Sequence, residues 1–209
     1  MAVIKSGATS DQLTIDATSK AARVTLYDAA GREVSPQSKV TYMASGTFTP
    51  AATPTDLVTI FGSASKTVRV LSMVISTTNT AAGSQQFFLI KRSAANSGGT
   101  PVSATLVPMD STDTGATATV QHYTANAASL GAAAGTINTV RVATPAAIPA
   151  TWAGITQNAG YELIPAGNTS KLDKFPVLRG TAQGLCINFN SVALVAGQTH
   201  AYTLVWTEE

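Results

Sequence analysis

Apolar and polar residues alternate with a period of two along much of this chain. Tyr202, Leu204 and Trp206 alternate with Ala201, Thr203 and Val205, and Leu185, Ile187 and Phe189 with Cys186, Asn188 and Asn190. That is the pattern of half-buried strands. β-Branched or aromatic runs at 56–61, 67–76, 85–91, 117–123, 138–142 and 161–164 bring the expected strands to eight. Between Val68 and Ile75 the alternation changes phase at Val70-Leu71, where a β-bulge would re-aim the side chains. Phe87 and Leu89 lie on one face of their strand and Phe88 and Ile90 on the other. Cover on both sides is therefore expected, from a second sheet or from a subunit. Tyr202, Leu204 and Trp206 should form one core-facing row.

Helical signals are weak. The Ala-rich stretch 125–134 is broken by Asn, Ser and Gly and carries no apolar stripe of period 3.6. Short strands separated by Gly, Ser, Asn and Pro clusters predict an all-β chain: a jelly-roll-like antiparallel β-sandwich of about eight strands. A barrel or a nine-stranded sandwich fits the same pattern.

The N-terminal residues differ from the remainder. Nine charged residues fall between Lys5 and Lys39, whereas Ser93 to Tyr161 holds only Asp110, Asp113 and Arg141. Within this segment 12–15 and 23–27 read as short strands and Asp28-Ala29-Ala30-Gly31 as a turn. So few large apolar groups cannot hold some 45 residues together alone. Ala44 to Thr55, with Gly46, Pro50 and Pro54, reads as a linker. The expected division is a small β-containing arm at 1–45 and a sandwich at 46–209.

Composition changes the picture in one respect. Only 11% of the 209 residues are charged, against about 25% in an ordinary soluble domain. A surface with few hydrated charges is cheap to desolvate, as the cores of protein interfaces are. The net charge of +2 is scattered, with Lys91-Arg92 the only adjacent basic pair. No stripe for nucleic acid is formed. The single Cys186 lies in an alternating run and reads as a small buried side chain. One cysteine allows no internal disulfide, which fits folding in a reducing cytoplasm. No segment of signal-peptide character opens the chain, and none approaches the ~20 apolar residues of a membrane span.

Catalytic constellations are not evident. His122 and His200 lack a second histidine or cysteine at metal-ligand spacing, and both read as satisfied sheet residues. Asp56, Asp110, Asp113, Glu162 and Asp173 could supply a glycosidase pair, but no spacing among them selects one. The run Asp110-Ser111-Thr112-Asp113-Thr114-Gly115 lacks the closing Glu of an EF-hand and reads as a polar turn. Asn96-Ser97-Gly98-Gly99 reads as a turn, and Asn168-Thr169-Ser170 as a loop. No metal, cofactor or catalytic residue is expected. Trp152 beside Pro, Gly and Asn is the candidate exposed contact, able to stack on a sugar or a protein, and otherwise a plug for the end of the sandwich.

The opening Ser6-Gly7-Ala8-Thr9-Ser10-Asp11-Gln12-Leu13-Thr14-Ile15-Asp16, then Lys20-Ala21-Ala22-Arg23-Val24-Thr25-Leu26-Tyr27-Asp28 and Gly31, resembles the N-terminal segment of structural proteins of tailed bacteriophages. Leu89-Ile90-Lys91-Arg92-Ser93-Ala94-Ala95-Asn96-Ser97-Gly98-Gly99-Thr100 and the closing Val205-Trp206-Thr207-Glu208-Glu209 are similar to the same group. The resemblance implies a virion location and brings no binding residues with it.

The chain is accordingly expected to be a non-enzymatic virion component, a capsid decoration or cement protein first. The alternative is a head, neck or tail fibre or adhesin that binds a host-surface glycan or receptor. Expected partners are the major capsid protein or another virion protein and further copies of the chain, as a trimer, with no nucleic acid and no membrane insertion. It would be made and folded in the host bacterial cytoplasm. The arm is the expected attachment element, through Lys5, Asp11, Asp16, Lys20, Arg23, Asp28, Arg32 and Glu33, because charges of both signs favour partner choice and register.

Overall fold

The computed structural model describes residues 14–15, 22–23, 39–144, 161–164 and 175–209. The chain divides into two compact units, Met1–Lys39 and Val40–Glu209. In the first unit β1 (Thr14–Ile15) and β2 (Ala22–Arg23) pair antiparallel, Thr14 opposite Arg23.

The second unit is an antiparallel sandwich, and among the described residues there is no helix. Its strands are β3 (Thr41–Phe48), β4 (Asp56–Phe61), β5 (Thr67–Thr78), β6 (Gly83–Arg92), β7 (Thr100–Ser103) and β8 (Leu106–Pro108). They continue as β9 (Thr119–Ala125), β10 (Ala133–Thr144), β11 (Tyr161–Ile164), β12 (Val177–Arg179), β13 (Gly184–Asn188) and β14 (Thr199–Glu208). One sheet has the order β10-β6-β13-β4-β9-β7, here the β6 sheet. The other, the β14 sheet, has the order β11-β5-β14-β3-β8, with β12 also on β5. The pairing is nested: β3 with β14, β4 with β13, β5 with β11 and β6 with β10. Successive pairs fall in alternate sheets, as in an antiparallel ribbon rolled upon itself.

The period-2 runs become the two inner faces. Tyr202, Leu204 and Trp206 form the expected buried row, facing Phe87, Leu89, Ile60 and Ile187 from the β6 sheet within one core. Each large side chain so removed from water stabilises by about 1.5–3 kcal/mol. Trp206 stacks on Tyr42, ring centroids 5.7 Å apart. The expected bulge is present: opposite Val205 and Trp206 stand Ser72 and Val70, leaving Leu71 unpaired in the register. Phe87 and Leu89 are in the core, while Phe88 and Ile90 are half-buried on the other side of their strand.

The linker expected at 44–55 is a correction. Its first residues belong to β3, which is paired with β14 on one side and β8 on the other, so the sandwich begins at Thr41 and not at 46. The alternation of Tyr42, Ala44, Gly46 and Phe48 is hidden in the sequence because two inward positions are so small. Gly46 is small for a reason. It lies opposite Tyr202, and a Cβ there would stand 2.9 Å from the tyrosine ring. Strands β7, β8 and β12, each of three or four residues, also lay outside the eight expected.

Candidate interaction surface

The outer face of the β14 sheet is poor in charge over its central strands. Inward positions of β14 hold His200, Tyr202, Leu204 and Trp206, so the alternate positions Thr199, Ala201, Thr203 and Val205 point out. Register carries this face across the sheet in rows. Thr78 lies beside Thr199, and their hydroxyls hydrogen-bond at 2.6 Å. Ser76, Ala201 and Thr47 make the next row, and Val74, Thr203 and Ser45 the third. Ser72, Val205, Met43 and Val107 make the fourth. β5, β14, β3 and β8 place no charged side chain in these four rows; at the β11 edge the exposed Glu162, opposite Val74, extends the third row. The fifth contains Arg69 and Thr207, with Arg69 paired to Glu209 at 3.4 Å.

The two ends of this face differ in relief. At the β8 edge Val107 is 51% exposed and Met109 61% exposed, and Met109 N donates to Thr41 O, which extends the ladder so that Met109 shares the outer face with Val107. At the opposite end is a hollow of about 230 Å³ bordered by Thr47, Ser76, Thr78, Thr199 and Ala201. Next to it, sharing Thr199, a crevice of about 500 Å³ lies between 49–53 and 193–199 and is lined only by uncharged residues, Leu194 and Val195 among them.

Both edge strands on this side of the sandwich carry prolines in telling positions. Met109 N bonds to Thr41 O and Ala104 N to Val120 O. By the alternation of an antiparallel ladder, Pro108 in β8 and Pro101 in β7 then occupy the positions whose N–H would face away from the sheet. Proline there costs no ladder bond and deletes the donor an incoming strand would use. Strand addition is disfavoured, and contact through side chains of the face is left open.

The buried ionic groups are held by the fold itself. On the outer side of the β6 sheet Asp56 takes a bidentate pair from Arg92, Nε and Nη2 both at 2.7 Å, and further bonds from Asn96 Nδ2 and Asn188 Nδ2, each at 2.7 Å. Arg92 Nη1 reaches Gly131 O at 2.6 Å, and Gly131 N donates to Asn96 Oδ1 at 2.9 Å. Gly131 is required, because a Cβ there would lie 1.7 Å from Ala94 O. The cluster fastens the segments on either side of the β7–β9 excursion to each other and to the sheet. Burial lowers the pKa of Arg92 but the Asp56 carboxylate outweighs it and raises it. Cys186 is buried as expected, its thiol pushed well up by burial and then by Asp56.

Glu208 forms the second fastening. Its carboxylate accepts from Thr117 N and Oγ1, Ala118 N and Trp206 Nε1, and Lys66 Nζ stands 3.6 Å away. Burial would raise its pKa, but the bonds from Thr117, Ala118 and Trp206 hold it below the ordinary value.

His122 and His200 lie in β9 and β14. His122 Nδ1 meets Tyr202 OH at 3.2 Å, and burial lowers its pKa. His200 sits among Phe48, Phe87 and Phe189. Burial lowers its pKa to about 4, so the ring is neutral. Its Nε2 meets Gln198 Nε2 at 3.2 Å, but Nδ1 has no partner among the described residues, so the expectation of a satisfied sheet histidine holds for only one nitrogen. Asp110 accepts from Thr112 N and Oγ1, which makes its run the polar turn expected. Gly98 and Gly99 have φ of 68° and 76° in the expected turn. Among the described residues no group of His, Cys, Asp and Glu could hold a metal ion. No helix among them is long and apolar enough to cross a membrane.

Trp152, Asp173, Lys5, Asp11, Asp16, Lys20, Asp28, Arg32 and Glu33 lie outside the described residues, and Arg23 is placed only as the end of β2. The residues of the outer face were not singled out from the sequence. The available signal was that Thr41, Met43, Ser45 and Thr47, like Thr199, Ala201, Thr203 and Val205, form an outward phase with no charge in it. No protein-family model matches this sequence, and no curated protein or solved structure matches it either.

Proposed function

We propose that this chain is a non-enzymatic structural subunit of a tailed bacteriophage particle, a capsid decoration protein whose sandwich meets a neighbouring virion protein through the outer face of the β14 sheet. The observation that carries this reading is the four-row face that β5, β14, β3 and β8 build without a charged side chain, Glu162 standing at its β11 edge and Val107 and Met109 exposed at its β8 edge. An ordinary soluble surface intersperses charges. A face with so few of them loses little hydration on contact, and repeated side-by-side association in a shell is the setting that uses such a face on every copy. The nested strand pairing supports reading the sandwich as jelly-roll-like. The two buried carboxylates support a structural role as well, since Asp56 and Glu208 are occupied in fastening loops. Residues ahead of β3 keep the attachment role expected of the arm.

The test adds the purified chain to particles that lack it. The proposal expects saturable binding, weakened at least about tenfold by Val107→Glu, with an unchanged circular dichroism spectrum. No binding to particles, or full binding by Val107→Glu, would overturn it.

A further inference from the structure

We propose that the outer face of the β14 sheet is a self-association surface: a second copy of this chain packs on it face to face about a two-fold axis, Met109 of each copy seated in the other's hollow beside Thr47 and Thr199. The inference rests on the reading of this face as the lateral contact and names its occupant.

Charge is the first argument. A patch can meet its own copy only if it does not repel itself, and β5, β14, β3 and β8 contribute no charge to the four rows. The charged side chains in register stand at its margins: Glu162 on the β11 edge of the third row, and Arg69 in the fifth, paired with Glu209.

Relief is the second argument. Met109 and Val107 project at one end, and the hollow lies at the other. Thr41, which accepts from Met109 N, and Thr47, at the hollow, are six residues apart on β3, roughly 20 Å at ~3.4 Å per residue. A two-fold axis lying in the plane of contact, midway between projection and hollow, brings each onto its counterpart, so the same fit is made twice. Methionine is unbranched and pliable, suited to a hollow lined by threonine methyl and hydroxyl groups.

Size is the third. Four strands at ~4.8 Å spacing and nine residues of β14 at ~3.4 Å rise span roughly 500 Å² per copy, about 1,000 Å² for the pair. That reaches the lower bound of about 1,000 Å² for a specific contact. Pro101 and Pro108 disfavour the competing mode, edge-to-edge strand pairing. A two-fold pairing also replaces the trimer suggested by sequence with an assembly of even order.

The test is sedimentation of the full chain up to ~1 mM, a range that detects even weak pairing. The expected result is a monomer–dimer equilibrium. Met109→Lys and Thr47→Asp should each weaken it at least about tenfold, and the double variant should recover it, because each new lysine then meets an aspartate of the other copy. Both positions are exposed, so far-UV circular dichroism should not change. A strictly monomeric wild type, single variants that dimerise as before, or a double variant no better than either single would overturn the inference. A monomeric chain whose Val107→Glu variant still fails to bind particles would remove the second copy and leave the face as a virion contact. A disrupted dimer with unaffected particle binding would do the reverse.

Discussion

The indole Nε1–H of Trp206 donates to Oε1 of Glu208 at 3.1 Å, joining the largest buried side chain to a buried carboxylate two residues further along β14. The same carboxylate receives the backbone of 117–118, so one pair of residues ties the core, the last strand and the approach to β9 together. Trp206→Ala should cost about 3–5 kcal/mol through the cavity it leaves. Glu208→Gln presents an amide where only donors converge and should cost about 1–3 kcal/mol. Denaturant unfolding measures both, and losses below about 1 kcal/mol would mean that the row is not buried as described.

Acid should weaken the fold in a window set by His200. Its folded pKa, about 4, lies below the ordinary 6.5, so the unfolded chain binds the proton more readily. Stability is complete above about pH 6.5 and falls as pH drops toward 4, by about 3 kcal/mol in all. Glu208, with its pKa also depressed, adds to the loss at the acid end of the range. Thermal unfolding of His200→Phe should show a flatter dependence between pH 7 and pH 4.5, and an unchanged slope would assign the effect elsewhere.

The Asp56–Arg92 pair should behave as a unit. Asp56→Ala strands a buried guanidinium and should cost about 3–5 kcal/mol. Adding Arg92→Met removes the orphaned charge, so the double variant should be more stable than the sum of the singles predicts by at least about 1 kcal/mol. Additive losses in a double-mutant cycle would show that the two residues do not share the bond network described.

The edge prolines predict a loss of control over association. Pro108→Thr returns an outward-facing N–H to β8 without disturbing its pairing to β3. The variant should keep its stability within about 0.5 kcal/mol and aggregate faster on incubation. Turbidity measurements that match the wild type would show that the β8 edge is not a site of strand addition.

What the sequence disclosed was whatever large residues spelled out in period two. Tyr202, Leu204 and Trp206, the phase change at Leu71 and the Phe87 strand were legible because their inward phase is bulky. Strand β3 was missed because packing under the Tyr202 ring demands a glycine at 46, and small residues imitate a linker. Short β7, β8 and β12 have too few residues for any period to register. The fastenings at Asp56 and Glu208 join residues 36 to 132 positions apart, a proximity only the nested pairing creates. The outer face was missed for a different reason. It is recognised by charge that it lacks in two dimensions, and only register turns Met43, Val107 and Val205 into one row.

The most direct measurement of the central claim is the number of copies of this chain in a purified particle, by quantitative mass spectrometry against the major capsid protein. A decoration subunit predicts hundreds of copies per particle, in a fixed ratio to the capsid protein. A dozen or fewer would indicate a fibre or neck position instead, and a chain absent from washed, infectious particles would contradict the account altogether.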